Sequence, residues 1–326
     1  MISYTVPIIA PATDFHSALL AAITEYDQSQ GRRKSWPERA AAALQKFLDN
    51  PDATPDSLWS QIKPVFVRIQ GGTGKCAFCE RMLGADEVAA YESDMEHFRP
   101  KKGVTPWPPS APIGQSSYPA DLPVSTGKGK GYRHLPFHEL NYIVACKTCN
   151  TRCKANYFPI AGRHALRAKS PVELLAKEKP YLIYPLGGLD EDPETLITFV
   201  GCKAVPAKSA SEVHDWNRGR ISIAFFLLND PAREDQLILE RAVRLDLLGH
   251  KVEAFEQASD SERAAAWEAL KAEGAASQPH ASCVRSLIRL YVHDPSTARQ
   301  LIEDARSFRR SKLNLDGWAA NLPLPG

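Results

Sequence analysis

The sequence predicts an α+β protein that is mostly helical and is built around a central zinc-binding module. Three observations support this class: apolar residues recur at helical spacing toward both ends of the chain, two Cys-x-x-Cys pairs lie between these parts, and a short apolar strand leads into the second pair. A chain of 326 residues is long enough for two or three modules. We therefore expect a helical N-terminal region at 1–69, a zinc module at 70–165 and a mainly helical C-terminal region at 166–326.

Caps and prolines predict where the outer helices begin. Asp14 precedes one amphipathic stretch as an N-cap, and Pro37 stands in the first turn of the next. Residues 55–69 form a third helical pattern, and five more follow between residues 212 and 311. Residues 103–131 are rich in proline, glycine and serine, which predicts an exposed insertion or a flexible loop.

Hydropathy and cysteine content indicate a soluble protein of the cytoplasm. The apolar run ISIAFFLL at 221–228 is far shorter than the roughly 20 residues that a membrane helix needs. The first residues, MISYTVPIIAPA, lack the basic leader of a signal peptide, so we expect them to be ordinary structure. In the reducing cytoplasm, clustered cysteines are expected to bind a metal instead of forming disulfides.

The formal net charge is only +2, but the positive charge is unevenly distributed. Between residues 122 and 172 the single acid is Glu139, whereas the basic residues are Lys128, Lys130, Arg133, Lys147, Arg152, Lys154, Arg163, Arg167 and Lys169. Such a run is often just a solvated face. It also suits binding to the phosphates of a nucleic acid.

Two cysteine pairs, Cys76 with Cys79 and Cys146 with Cys149, supply four thiolates. A tetrahedral structural zinc requires this number, and each two-residue gap lets one tight turn present both sulfurs. The alternative is a redox Cys-x-x-Cys site, but two pairs without a thioredoxin-like setting favour zinc.

A group of polar residues surrounds the cysteines in sequence. Asp94 and Glu96 alternate along an extended segment and can therefore face one hard cation, Mg²⁺ or Mn²⁺, while His97 could take a proton from water. Asn150 directly follows Cys149, where it is either a helix cap or an oxygen ligand of that cation. The predicted contacts with a nucleic-acid backbone are Lys147, Arg152 and Lys154.

The segments CAFCE, DMEHFRPKKG and LNYIVACKTCNTRCKANYFP, in this order, resemble HNH endonucleases of the ββα-metal type with a four-cysteine zinc support. The resemblance implies a central ββα-metal (HNH) nuclease module. It makes His97 the general base, Asn141 the residue that holds the loop and orients the histidine, and Glu96 and Asn150 the metal ligands, with Asp94 as a second ligand or a supporting partner. The chain departs from the family pattern in having Asn150 in place of the final histidine and Glu96 in place of the frequent aspartate.

Residues 70–248 are similar, less specifically, to the HNH subunit of Septu-type bacterial defence systems and to related retron-associated nucleases. This resemblance implies a metal-dependent endonuclease that acts on nucleic acid, with DNA favoured, beside an ABC/SMC-like ATPase partner. Two alternatives remain open: an RNA (tRNA) nuclease of the same mechanism, and a non-catalytic zinc-stabilised module that binds nucleic acid or a partner.

Overall fold

The computed structural model describes residues 1–4, 14–50, 54–72, 74–84, 92–109, 113, 118, 121, 129–165, 170–233 and 236–313. Within these ranges the protein is mixed α/β, mostly helical, with two small antiparallel sheets. No helix in the described ranges is both long and apolar enough to cross a membrane. The mixed class is confirmed, whereas the domain boundaries stay a prediction.

The N-terminal region contains three α-helices and one 3₁₀ turn: α1 (Phe15–Ser29), α2 (Trp36–Asp49), the turn Leu58–Ile62, and α3 (Lys63–Ile69). Asp14 caps α1 as predicted, because its side chain accepts a hydrogen bond from the Ser17 amide at 2.9 Å. The pattern at 55–69 predicted one helix but forms two segments. Pro64 explains the break, since a proline ring inside an α-helix clashes with the carbonyl four residues earlier.

The central sheet pairs β1 (Ser93–His97) with β2 (Tyr142–Cys146) in antiparallel register, so that Asp94 lies opposite Ala145 and Glu96 opposite Ile143. All five residues of β2 are buried. A short π-helical segment, Thr148–Lys154, follows β2 directly. This strand, strand, helix order positions Asp94, Glu96, His97, Asn150 and Lys154.

Helix α3 is attached to both strands of the central sheet. At its start, the Lys63 ammonium donates to the Ser93 carbonyl of β1 at 2.7 Å. Just past its end, the buried Gln70 amide accepts from the Val144 amide of β2 at 2.7 Å and donates to the Val144 carbonyl at 2.9 Å. The Gln70 side chain thus bonds Val144 as a neighbouring strand would.

The C-terminal region contains seven α-helices in its described residues and a β-hairpin. The helices are α4 (Pro171–Glu178), α5 (Pro193–Leu196), α6 (Val213–Phe225), α7 (Leu237–Gln257), α8 (Arg263–Ala272), α9 (Ala281–His293) and α10 (Pro295–Leu313). The five helices predicted after residue 212 are present as α6 to α10. The hairpin of β3 (Ile197–Val200) and β4 (Lys203–Pro206) was not predicted.

Two hydrophobic cores hold the chain together. The first combines apolar residues of α1–α3, the cysteine turns, the central sheet and α6. The second is formed by the four helices α7, α8, α9 and α10. The described ends of the 103–131 insertion also pack inside. Val104 bridges to Gly129, and Trp107 is buried against Phe225 with ring centroids 5.3 Å apart. The prediction of an exposed insertion is wrong for these residues, because Trp107 fills a space beside α6; much of the remaining insertion lies outside the described ranges.

Candidate active site and metal centre

The four predicted cysteines converge. Their sulfur atoms all lie within 4.8 Å of one another, and all four residues are buried. In a tetrahedral site with zinc–sulfur bonds near 2.3 Å, neighbouring sulfurs are about 3.8 Å apart, and the sulfurs of Cys79 and Cys146 are 3.8 Å apart. The Cys149 amide also donates to the Cys146 sulfur at 3.3 Å, which shapes the second turn around a thiolate. The donor set therefore fits a structural zinc ion.

A buried arginine lies against this cluster and was not predicted. Nη2 of Arg233 is 3.2 Å from the Cys149 sulfur and 3.9 Å from the Cys146 sulfur. Four thiolates around Zn²⁺ carry a net charge of −2, so a guanidinium in contact with two of them offsets part of the charge that burial would otherwise penalise. No sequence spacing points to Arg233, because it is 84 positions from Cys149 and is brought there by tertiary packing.

The helical segment after β2 covers one face of β1. Asp94 and Glu96 alternate on this strand and so share a face, while Asn150 and Lys154 are four residues apart on one helical face. Nδ2 of Asn150 donates to Oδ2 of Asp94 at 2.9 Å, and the Lys154 ammonium lies 3.4 Å from Oε1 of Glu96. The structure therefore pairs Asn150 with Asp94, while the contact of Glu96 is with Lys154.

Lys154 is not part of a surface patch. Its side chain is fully buried beside Glu96, so it cannot contact a nucleic-acid backbone from this position, and its predicted role is corrected. Burial lowers the pKa of Lys154 and raises the pKa of Glu96 to about 7, while their mutual attraction opposes both shifts. The helical period from Asn150 to Lys154 was the sequence signal that could have placed this lysine on the inner face.

His97 is buried and its tautomer is fixed by its contacts. Nε2 lies 3.0 Å from the Pro136 carbonyl, which can only accept, so Nε2 carries the proton and Nδ1 carries the lone pair. Burial, with the charges of Lys101 and Lys154, lowers the pKa of His97 to about 3. The imidazole is therefore neutral at physiological pH.

Asn141 holds the backbone just after His97 and the separate segment that contacts the His97 ring. Its fully buried side chain accepts from the Arg99 amide at 2.8 Å and donates to the Arg99 and Leu135 carbonyls at 3.1 and 3.3 Å. The first two bonds fix the chain just after His97. The third fixes the segment that supplies the Pro136 carbonyl to the imidazole. These are the contacts that a residue orienting the histidine would make.

Three residues outside the predicted set complete the surroundings of the strand. The Lys101 ammonium lies 3.4 Å from Nδ1 of His97 and 4.5 Å from the centre of the Trp59 ring. The Trp59 ring in turn meets the imidazole edge-on, with centroids 4.5 Å apart. Lys63 is influenced by the charges of both Asp94 and Lys147. Trp59 and Lys63 come from the N-terminal region, for which the sequence suggested no functional role.

The remaining predicted site residues are Lys147 and Arg152. Lys147 is exposed, and Nη2 of Arg152 reaches the Ile113 carbonyl at 3.5 Å. Within the described ranges, the four cysteines are the one group of at least three His, Cys, Asp or Glu side chains whose ligand atoms converge. Asp94, Glu96 and His97 thus do not form a second such group, and any cation at Asp94 would also need the Asn150 oxygen.

Comparison with known proteins gives one informative similarity. Over 156 residues the chain is 30% identical to the Septu protein PtuB of Bacillus mycoides (strain KBAB4). The aligned part covers 48% of this chain and 43% of that relative, so the chain spans less than half of the relative's length. No known family profile matches the chain, and no solved structure matches it. About half of the chain is therefore similar to a Septu protein.

Proposed function

We propose that the protein is a metal-dependent endonuclease of the HNH type that hydrolyses phosphodiester bonds, with DNA as the favoured substrate. One observation carries this proposal: the helical segment that follows the second cysteine turn lies on β1 and brings Asn150 to Asp94, on the same strand that ends at His97, a neutral histidine held by Asn141. This arrangement offers oxygen ligands and a base on one short strand, and hydrolysis of a phosphodiester requires both.

In this proposal His97 is the general base. Its Nδ1 lone pair would accept a proton from the water that attacks phosphorus, while the Pro136 carbonyl holds the ring through Nε2. A pKa near 3 makes the imidazole a weak base before substrate binds. A bound phosphodiester brings negative charge close to the ring, which favours the imidazolium and raises its pKa toward the range of an efficient base.

Asp94 and Asn150 would hold the catalytic cation. Glu96, which the sequence motif made a ligand, would instead stay paired with Lys154. The carboxylate of Asp94 and the amide of Asn150 are already in contact, and oxygen ligands of this kind suit Mg²⁺ or Mn²⁺. The Asn150 amide would present its oxygen to the cation instead of its Nδ2. When bound, such a cation neutralises the charge that develops on the phosphate and on the leaving oxygen.

The similarity to a Septu protein supports a role in antiphage defence. We include in the proposal that the chain works with an ABC/SMC-like ATPase partner, which the resemblance of residues 70–248 implies. Lys147 and Arg152 would contact the backbone of the nucleic acid without reading its bases, so we expect little intrinsic sequence preference.

The test is cleavage of supercoiled plasmid by the protein, alone and with its ATPase partner, in Mg²⁺ or Mn²⁺ and with or without chelator. The matched variants are His97→Gln and His250→Gln. Loss of a general base costs about 100- to 10,000-fold in rate, so His97→Gln should be nearly inactive while keeping its zinc. His250 is exposed on α7, and its variant should cleave like the wild type.

The outcomes separate the alternatives. Cleavage of tRNA in place of plasmid would favour the RNA nuclease. Binding of nucleic acid without cleavage of either substrate, in the presence of the partner, would favour the non-catalytic module. A folded His97→Gln protein that cleaves at the wild-type rate would overturn the mechanism.

A further inference from the structure

We propose that Lys101 is a substrate-binding residue that exchanges partners: without substrate its ammonium donates to Nδ1 of His97, and with a phosphodiester bound it donates to a non-bridging phosphate oxygen and so frees Nδ1 for the attacking water. The inference rests on the proposed nuclease function and names the group that recognises its substrate. It concerns a residue outside the set implied by the sequence motifs.

The contact between Lys101 and His97 occupies the lone pair that the reaction needs. Because Nε2 of His97 is committed to the Pro136 carbonyl, Nδ1 is the acceptor nitrogen. The Lys101 ammonium is 3.4 Å from this atom and can only donate a hydrogen bond to it, because an ammonium has no lone pair. A water molecule cannot give its proton to Nδ1 while the ammonium donates there.

Lys101 has weak partners and can therefore be recruited by an anion. In the described part of the chain its ammonium contacts a neutral imidazole and the face of Trp59, and Glu96 attracts it without forming an ion pair within 4 Å. A hydrogen bond from an ammonium to an anionic oxygen is roughly twice as strong as one between neutral groups. An incoming phosphate is thus a better acceptor for Lys101 than His97 is.

The surrounding charge favours the same ligand. The buried Lys154 ammonium lies 3.4 Å from Oε1 of Glu96, and the Lys101 ammonium lies 3.4 Å from Nδ1 of the next residue, His97. Two ammonium groups beside one carboxylate leave an excess positive charge in a largely buried space, which attracts an anion. Trp59 keeps the Lys101 side chain directed toward this space, because its ring contacts both the ammonium and the imidazole.

The exchange places Lys101 on the side of the attacking water. In an in-line displacement the water oxygen forms the new bond to phosphorus, its proton passes to Nδ1 of His97, and the leaving oxygen departs with the electron pair of the broken bond and takes a proton from solvent. Lys101 stays protonated throughout and holds the phosphate oxygen. The imidazole is therefore released for catalysis only when substrate is present.

The experiment is a double-mutant cycle on binding, measured by fluorescence anisotropy with a short labelled DNA duplex in buffer without added divalent metal. The variants are Lys101→Met, His97→Phe and the double variant, and Lys102→Met is the control for losing one exposed positive charge. Zinc content and circular dichroism confirm that each variant is folded, and a gel confirms that the duplex is intact.

The exchange predicts non-additive effects. His97→Phe removes the competing acceptor, so it should bind DNA about 2- to 10-fold more tightly than the wild type. Lys101→Met should bind about 10-fold more weakly, a larger loss than Lys102→Met shows. In the Lys101→Met background the His97→Phe substitution should no longer tighten binding, because no ammonium is left to release.

Failure of this inference can be told apart from failure of the proposed function. A wild-type protein that cleaves plasmid, but whose two substitutions act additively on binding, keeps the nuclease and overturns the exchange. A Lys101→Met protein with the affinity of Lys102→Met also overturns it. A wild-type protein that neither binds nor cleaves nucleic acid with its partner overturns the nuclease function itself, and the exchange with it.

Discussion

The four-cysteine cluster and the His97 site adjoin the same two strands, yet they are built in opposite ways. The cluster is complete without any further group. Its four buried sulfurs lie within 4.8 Å of one another, and Arg233 lies against two of them. The His97 site is also largely buried, but its polar groups contact charged side chains that a substrate could displace, with Lys101 at His97 and Lys154 at Glu96. A structural metal site must exclude competitors, whereas a site that turns over substrate must be able to exchange them.

The largest effect is expected from removing one thiolate of the four-cysteine cluster. Cys149→Ser should lose zinc and unfold the central module, because structural zinc in zinc-finger peptides contributes about 10–16 kcal/mol to folding at neutral pH. Metal analysis and thermal unfolding by circular dichroism measure both losses. Cys202→Ser is the matched control: Cys202 is outside the cluster, so its variant should keep zinc. A Cys149→Ser protein with full zinc content and wild-type melting would contradict the assignment.

A smaller effect is expected from removing the carboxylate of Asp94. Asp94→Ala should preserve zinc and the fold but reduce plasmid cleavage by at least about 10- to 100-fold, since it removes a carboxylate from the proposed cation site. Excess Mn²⁺ should restore part of this activity and none of that lost in His97→Gln. The control is Glu92→Ala, because Glu92 is exposed just before β1. Equal activity in both variants would remove Asp94 from the cation site.

The smallest effect is expected at the surface. Lys147→Ala combined with Arg152→Ala should lower the dependence of DNA binding on salt by roughly 1–2 in the logarithmic slope, because about one counterion is released per phosphate contact. Lys154→Met should leave this slope unchanged, since its ammonium is buried beside Glu96. An equal change of slope in both proteins would return Lys154 to the nucleic-acid interface.

Local chemistry explains which parts of this fold could be predicted. The cap of α1 at Asp14 and the turns of the two cysteine pairs each depend on a few neighbouring residues, and both are present in the structure. The β3–β4 hairpin was missed because its short strands, at Ile197–Val200 and Lys203–Pro206, carry too little alternation to separate them from a loop. The burial of Trp107 was missed because proline and glycine around it predicted exposure.

The candidate site divides in the same way. Asp94, Glu96 and Asn150 were expected around one cation, with Glu96 and Asn150 as its main ligands, whereas the structure brings Asn150 to Asp94 and Lys154 to Glu96. Trp59 and Arg233 could not be assigned, because their partners are decided by how distant segments pack. Lys101 is only four residues from His97, and it was given no role because the turn after β1 decides where its ammonium lies. Sequence spacing specified the ligand types, while tertiary packing brought Trp59 and Arg233 to them.

The attachment of α3 gives the N-terminal region a mechanical role. Lys63 at the start of this helix donates a hydrogen bond to β1, and Gln70 just past its end exchanges two hydrogen bonds with β2. The helix is therefore hydrogen-bonded to a different strand at each end. Tilting α3 would stretch one of these bonds and shift Ser93 relative to Val144. Because Asp94 follows Ser93 directly and Ser93 lies opposite Cys146, the position of α3 is coupled both to the Asp94 backbone and to the second cysteine turn.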